Sequence, residues 1–389
     1  MDDSRPLKGL RVLDTSRLLP GPFATMILAD LGAEVDKLED TGPGDYLRIT
    51  PPLVDDGMGA MFHVVNRGKR SLAIDLKSED GKKTFLEMIP RYDVLLESNR
   101  PGVMSRLGLG YETLREVNPG LVYCAITGYG QDGPLRDRAG HDLNYIARAG
   151  VLGATGPADG APQMPGVQIA DVTGGLYGVI GVLAAIEGRR KTGRGRFVDI
   201  SMAEAALSVA VVPFGTVEGG VAIARGSESL TGGIAPYQAY TTKDGGAMTL
   251  GALEPKFWKG FCEAVGIPFD MKDIFPGPHQ PALIAKVKDI FASKTTAEWK
   301  ALAETVDCCL EPVLSPTECR EDPMHVARKV FSPRATHGGQ AISLMRSPVA
   351  MPADGVAPRQ GGHTDDILRE AGLDDAKIAA LRAAGVIKG

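Results

Sequence analysis

The chain has 389 residues, more than a typical single domain, and 43% hydrophobic with 23% charged residues is the balance of a protein that builds a full core. A net charge of −5 excludes the broad basic face of a nucleic-acid binder. The N-terminal residues carry no apolar run of the secretory kind, and no stretch reaches the ~18 uninterrupted apolar residues of a membrane span, so neither is expected.

In chain order, Leu10 to Asp14 reads as a short strand. Pro20-Gly21-Pro22 opens a helix with Ala24, Ile27, Leu28 and Leu31 on one face, closed by Gly32. Further strands are predicted at 35–38, 71–76, 93–97, 121–126 and 196–201, with a helix over 79–89. Helices between successive short strands imply parallel pairing, hence an open α/β sheet of Rossmann-like type. No G-x-G-x-x-G follows the first strand, so a dinucleotide site is disfavoured. A long polar connection over 41–62 interrupts the alternation, as functional or mobile loops do.

Tyr237 to Thr242 and Ala247 to Leu250 flank Lys-Asp-Gly-Gly and read as a hairpin, which opens a smaller α+β domain with helices near 256–265 and 281–306. The expected division is a large domain over 1–201 completed by 350–389, linker helices over 202–232, a small domain over 233–325 and a return linker over 326–349. A helical tail spans 365–381. The five cysteines form no C-x-x-C pair, which fits reduced thiols and a cytoplasmic setting; the adjacent Cys308 and Cys309 read as packing residues.

His141 stands where a glycine-rich loop, Gly128 to Pro134, leads into a helix starting near Asp142. A lone histidine is commonly structural, but a strand end followed by a helix start is a favoured place for chemistry. Asp171 precedes a glycine-rich apolar helix and reads either as its N-cap or as a carboxylate beside helix-start amides able to seat an anion. Gly174, Gly175, Gly178 and Gly181 leave room for another backbone or a ligand. Glu254, before a helix-opening proline, reads as an ordinary exposed carboxylate. The cluster Asn66-Arg-Gly-Lys-Arg70, with Arg100 and Arg106 beyond a later strand end, is either a solvated edge or a phosphate site.

Taken together, Lys8-Gly-Leu-Arg-Val-Leu13, Pro20-Gly-Pro-Phe23, Leu31-Gly-Ala-Glu-Val35, Asn66-Arg-Gly-Lys-Arg70, Asp75-Leu-Lys77, Arg100-Pro-Gly-Val103, Gly128-Tyr-Gly-Gln-Asp-Gly-Pro134, Ala170-Asp171 and Pro236-Tyr237 resemble the family III coenzyme-A transferases over almost the whole chain. Within that family Gly140-His-Asp-Leu-Asn-Tyr145 and Gly251-Ala-Leu-Glu-Pro-Lys-Phe257 look like the motifs of the α-methylacyl-CoA racemases. The resemblance implies His141, Asp171 and Glu254 as the catalytic set, and inversion of the α-carbon of 2-methyl-branched acyl-CoA thioesters by two-base proton transfer. The rival it leaves is a CoA transferase with Asp171 as nucleophile. The connection over 42–62 looks transferase-like, and Asp40 stands where some racemases carry a basic residue.

It also implies that CoA lies along Leu18, Lys69, Arg70, Leu72, Ile74, Asp75, Leu76, Lys77, Ser98, Arg100, Arg106, Gly140, Asp142 and Tyr145, with phosphates near Lys69, Arg70, Arg100 and Arg106. Helix-start amides at Asp171 would hold the enolate oxygen. An interlaced homodimer is implied, its arms being the segments near 202–232 and 325–350. No metal or redox cofactor, nucleic acid or membrane is expected as a partner.

Overall fold

The computed structural model describes residues 5–389. Their contacts divide the chain into two units: residues 5–148, 168–208 and 326–389 form the larger, and residues 149–167 with 209–325 the smaller. The segment 149–167 therefore goes with the smaller unit, whereas the sequence boundaries kept it in the large domain.

The larger unit is built on strands β1 (Arg11–Asp14), β2 (Glu34–Glu39), β3 (Arg70–Ile74), β4 (Val94–Glu97), β5 (Val122–Thr127) and β6 (Phe197–Ser201). They lie in the order β3-β2-β1-β4-β5-β6, all parallel. All four residues of β4 and all six of β5 are buried, because helices or loops cover both faces, so these strands read as continuous apolar runs. The predicted strands all form, with ends shifted by a residue or two.

The helix Pro20–Asp30 starts on a proline at its first turn, where no amide hydrogen is needed. Against it packs the long helix Ile169–Thr192. A Cβ on Gly175 would lie 2.8 Å from the carbonyl oxygen of Pro20 and 2.9 Å from the Phe23 ring. Gly175 thus admits the neighbouring helix, while Gly174, Gly178 and Gly181 admit the side chains of Met202, Ile126 and Val198, and none of the four opens onto a ligand. An 18-residue window of this 24-residue helix has a mean hydropathy of 1.8, enough by length and composition to cross a membrane, although no such segment was expected. Its buried face lies on β5 and β6, while Leu176, Tyr177 and Ile180 face outward.

The tail forms two helices, Thr364–Glu370 and Asp375–Ala383. Their Ile367, Leu368, Ile378 and Leu381 complete the core over Phe85, Met88 and Leu114 on the opposite sheet face. A last strand at Ile387–Lys388 pairs antiparallel with β3. The connection after β2 is held in place: Arg48 grips Glu39 through two hydrogen bonds of 2.7 and 2.6 Å, and Gln340 bonds Asp55 at 2.8 Å. Gln340 belongs to the turn of a hairpin, Phe331–Ala335 with Ala341–Met345, within the segment expected to be a plain linker.

The smaller unit carries an antiparallel sheet of Tyr237–Thr241, Ala247–Gly251 and Leu310–Pro312. Its core stacks Trp258, Phe261, Phe291 and Trp299, with Cys262 and Cys308 among them. Cys309, by contrast, is exposed and sits at φ +56°.

Candidate active site

In an open parallel sheet, ligands bind beyond the strand carboxyl ends where the strand order reverses. Here β1 has β2 on one side and β4 on the other, so the reversal falls between β1 and β4. A cavity of about 600 Å³ opens there, walled by the segments after β1, β4 and β5. Arg17, Leu18, Tyr46, Ser98, Asn99, Arg100, Arg136, Arg138, Gly140, His141, Asn144, Tyr145 and Asp171 all line it.

Local bonds shape this wall. The Ser98 hydroxyl accepts from the Arg17 amide at 3.2 Å and ties the β1 loop to the β4 loop. Leu18 has φ +62°, an uncommon conformation for a non-glycine residue, and its amide donates to Asp45 at 3.2 Å. Asp45 is itself buried against Lys37 at 2.9 Å. Beyond β5, the Tyr145 hydroxyl donates to the Gly140 carbonyl at 2.6 Å, and its ring packs so close to Gly128 that a Cβ there would lie 2.6 Å away.

His141 immediately precedes the helix Asp142–Arg148. Its amide donates to the Asn144 side-chain oxygen at 3.0 Å, which fixes the backbone and leaves the imidazole exposed in the cavity. Asp171 lies in the first turn of the long helix, which begins at Ile169, so it is not the N-cap. The capping carboxylate is Asp142, which accepts from the Ala170 amide at 2.6 Å and the Asp171 amide at 3.1 Å. Those amides are consequently spent and cannot serve an enolate. Burial, with the charge of Asp142 added, pushes the Asp171 carboxyl up to about 7.

The residues expected along CoA divide sharply. Leu18, Ser98, Arg100, Gly140 and Tyr145 line the cavity with His141 and Asp171. Lys69 does not: it is buried, 3.0 Å from Asp14, and donates to Thr25, Asn66 and the Pro22 carbonyl. A phosphate cannot reach it without breaking that network. Arg70 is engaged by Asp36 at 2.8 Å and Glu370 at 2.7 Å. Leu72 and Ile74 are fully buried core, and Leu76 packs against the same core. Asp75 bonds the Lys77 amide at 2.9 Å beyond β3, leaving the Lys77 side chain exposed. Arg106 is exposed, at the end of a short helix Val103–Arg106, and Asp142 is the cap just described. Glu254 is exposed in the smaller unit, where it precedes the helix Pro255–Val265 without capping it, and is not among the residues lining this cavity.

Arg17, Tyr46, Arg136 and Arg138 also line the cavity without having been singled out by any sequence motif, and Asn99 and Asn144, which stand beside Arg100 and within the His141 motif, had no role assigned. Four arginines, Arg17, Arg100, Arg136 and Arg138, give the cavity a cationic wall suited to phosphates or carboxylates. Arg17 pairs with Asp40 at 3.3 Å and lies over the Tyr46 ring.

A strand-end cleft with a histidine, an aspartate whose carboxyl is raised by burial, and four arginines is an arrangement suited to acyl or proton transfer on an anionic substrate. The model of CoA-transferase family III matches residues 7–364, and the chain belongs to that family, whose members are racemases or CoA transferases. It is 36% identical over 391 residues to an alpha-methylacyl-CoA racemase of Mus musculus, covering 98% of this chain and 97% of the relative. It is 33% identical over 410 residues to the succinyl-CoA:glutarate CoA-transferase of the same species, covering 100% of this chain and 91% of that one. Among solved structures, a CAIB/BAIF family protein from Brucella suis superposes with a TM-score of 0.83 at 30% identity, covering 94% of this chain and 99% of that one.

Proposed function

We propose that the protein inverts the α-carbon of 2-methyl-branched acyl-CoA thioesters, with His141 and Asp171 as the two bases. The observation that carries this reading is the Asp171 carboxyl, raised to about 7 in the cavity that His141 also lines. A nucleophilic aspartate must be ionised, whereas a racemase needs an aspartic acid that can both give and take a proton near neutrality.

In one direction neutral His141 takes the α-proton, the electron pair moves onto the thioester oxygen, and protonated Asp171 returns a proton to the opposite face. The reverse reaction begins from the imidazolium and the carboxylate. With the helix amides bonded to Asp142, the enolate must find other donors. The Asn144 side-chain NH₂ is one, because its oxygen is already held by the His141 amide. The four arginines would take the CoA phosphates in place of Lys69 and Arg70, and no metal or redox cofactor enters the scheme.

A homodimer fits the outward apolar residues on two helices: Leu176, Tyr177 and Ile180 on the long helix of the larger unit, and Val211, Val212 and Phe214 on Val211–Glu218 of the smaller. Glu254 would then support the His141 of a partner copy, and a cytoplasmic enzyme is the setting these assignments suit. CoA transfer through Asp171 is the second reading, favoured by the cationic wall, which would also hold a free carboxylate acceptor.

The deciding experiment incubates one enantiomer of a 2-methylacyl-CoA with the protein in D₂O, with and without free acids. Racemisation predicts deuterium at the α-carbon without any acceptor. CoA appearing on an added acid with no α-exchange would establish the transferase.

A further inference from the structure

The sheet has a second cavity, of about 540 Å³, lined by Glu97, Tyr111, Glu112, Tyr123, Gln131 and Phe197 among others. It exists because of the way the chain crosses from β5 to β6. The crossover packs the long helix over Ile126 and Val198, where Gly178 and Gly181 meet those side chains. Side chains alternate along a strand, so Tyr123 and Phe197 point to the other face, which that helix leaves uncovered.

Glu97 faces this cavity and is only 4% exposed. Under β1 to β3 the buried carboxylates each have a cation: Lys69 for Asp14, Arg70 for Asp36, Arg48 for Glu39 and Lys37 for Asp45. Glu97 has none. It accepts from the Asn99 amide at 2.5 Å and from the Tyr123 hydroxyl, and no lysine or arginine acts on it. Burial consequently raises its carboxyl to about 7.

Around it the rings of Tyr111, Tyr123 and Phe197 pack pairwise, with centroids 5.4 to 5.9 Å apart. The side-chain nitrogen of Gln131 is buried beside them without a hydrogen-bond partner. Asp199, two residues along β6 from Phe197 and accepting from the Gln131 amide at 3.1 Å, adds further acidity. An anion would be repelled from such a place. A metal ion lacks ligands, since no group of three His, Cys, Asp or Glu side chains able to hold one is found among the described residues. Aromatic faces with one carboxylate suit a different guest, an organic ammonium ion.

We infer that this cavity binds a small organic ammonium compound, its charged nitrogen against Glu97 and its substituents against Tyr111, Tyr123 and Phe197. The site is distinct from the cleft of His141 and Asp171 and does not depend on which reaction runs there. Through the Asn99 amide, Glu97 also holds the β4 loop that lines the cleft, so the two sites share one turn of chain.

The test titrates benzyltrimethylammonium into the full-length protein by calorimetry, with and without CoA. Binding is expected to persist with CoA present and to weaken tenfold or more in Glu97→Gln, which keeps the shape but removes the charge. Phe197→Leu, which preserves an apolar side chain, should weaken it several-fold, so the inference stays testable if Glu97→Gln misfolds. Displacement of the probe by CoA, equal affinity in folded Glu97→Gln or in Phe197→Leu, or no binding at millimolar probe would overturn it.

Discussion

The carboxyl ends of β1 to β3 and those of β4 and β5 treat buried charge in opposite ways. Under β1 to β3, Asp14, Lys37, Glu39, Asp45, Arg48 and Lys69 interlock. Burial opposes ionisation of Asp14, but Lys69 and Lys37 outweigh it and hold its carboxyl well below the usual range. Around β4 and β5, Glu97 and Asp171 have no cationic partner and both rise to about 7. A carboxylate that is paired stays ionised and serves as a strut. One that is buried without a cation remains able to exchange a proton or receive a charged guest.

Substitutions separate the two kinds of group. The largest effect is expected at the cleft: His141→Ala and Asp171→Asn should each lower α-proton exchange by about 10²- to 10⁴-fold, the range of a lost acid or base, with little change in thermal unfolding. Lys69→Met should cost about 3–5 kcal/mol in denaturant unfolding, because it strands Asp14 in the core. Glu97→Gln should act the other way. A carboxyl raised from 4.5 to about 7 on folding weakens the fold as pH climbs through that interval, and the loss persists above it. At pH 8 the variant should gain up to about 3 kcal/mol, at about 1.4 kcal/mol per pH unit, and at pH 4 it should gain nothing.

Gly175→Ala should cost about 1–3 kcal/mol, since its methyl meets the Pro20 carbonyl and the Phe23 ring. The smallest effect is expected from Asp142→Asn, which retains the capping oxygen while removing a like charge. Turnover in the direction that needs protonated Asp171 should fall as pH rises through about 7 in the parent protein, and at lower pH in the variant. Burial, the larger cause, keeps Asp171 above its ordinary value there.

The alternation of apolar runs and helix starts made the parallel sheet legible, because each signal is local. His141 and Asp171 were legible as motif positions, and the cavity joins them. Lys69 and Arg70 misled because a basic cluster reads the same whether its partners are phosphates or the distant Asp14, Asp36 and Glu370. Arg17 and Arg138 were missed for the converse reason. They stand 121 residues apart and meet only because β1 lies beside β4 and β5 follows it, an order that local patterns do not carry. The hairpin at 331–345 has too little alternation to announce itself, and its turn is held by Asp55 far back in the chain.

Two-base inversion needs Asp171 to exchange its proton near neutral pH. Carbon-13 labelling of the aspartate carboxyls, followed by NMR from pH 4 to 9 in the parent protein and in Asp171→Asn, reads this directly. A resonance with its midpoint near 7 that vanishes in the variant is the predicted result. An Asp171 resonance already fully ionised at pH 5 would contradict it and leave Asp171 as a standing carboxylate nucleophile.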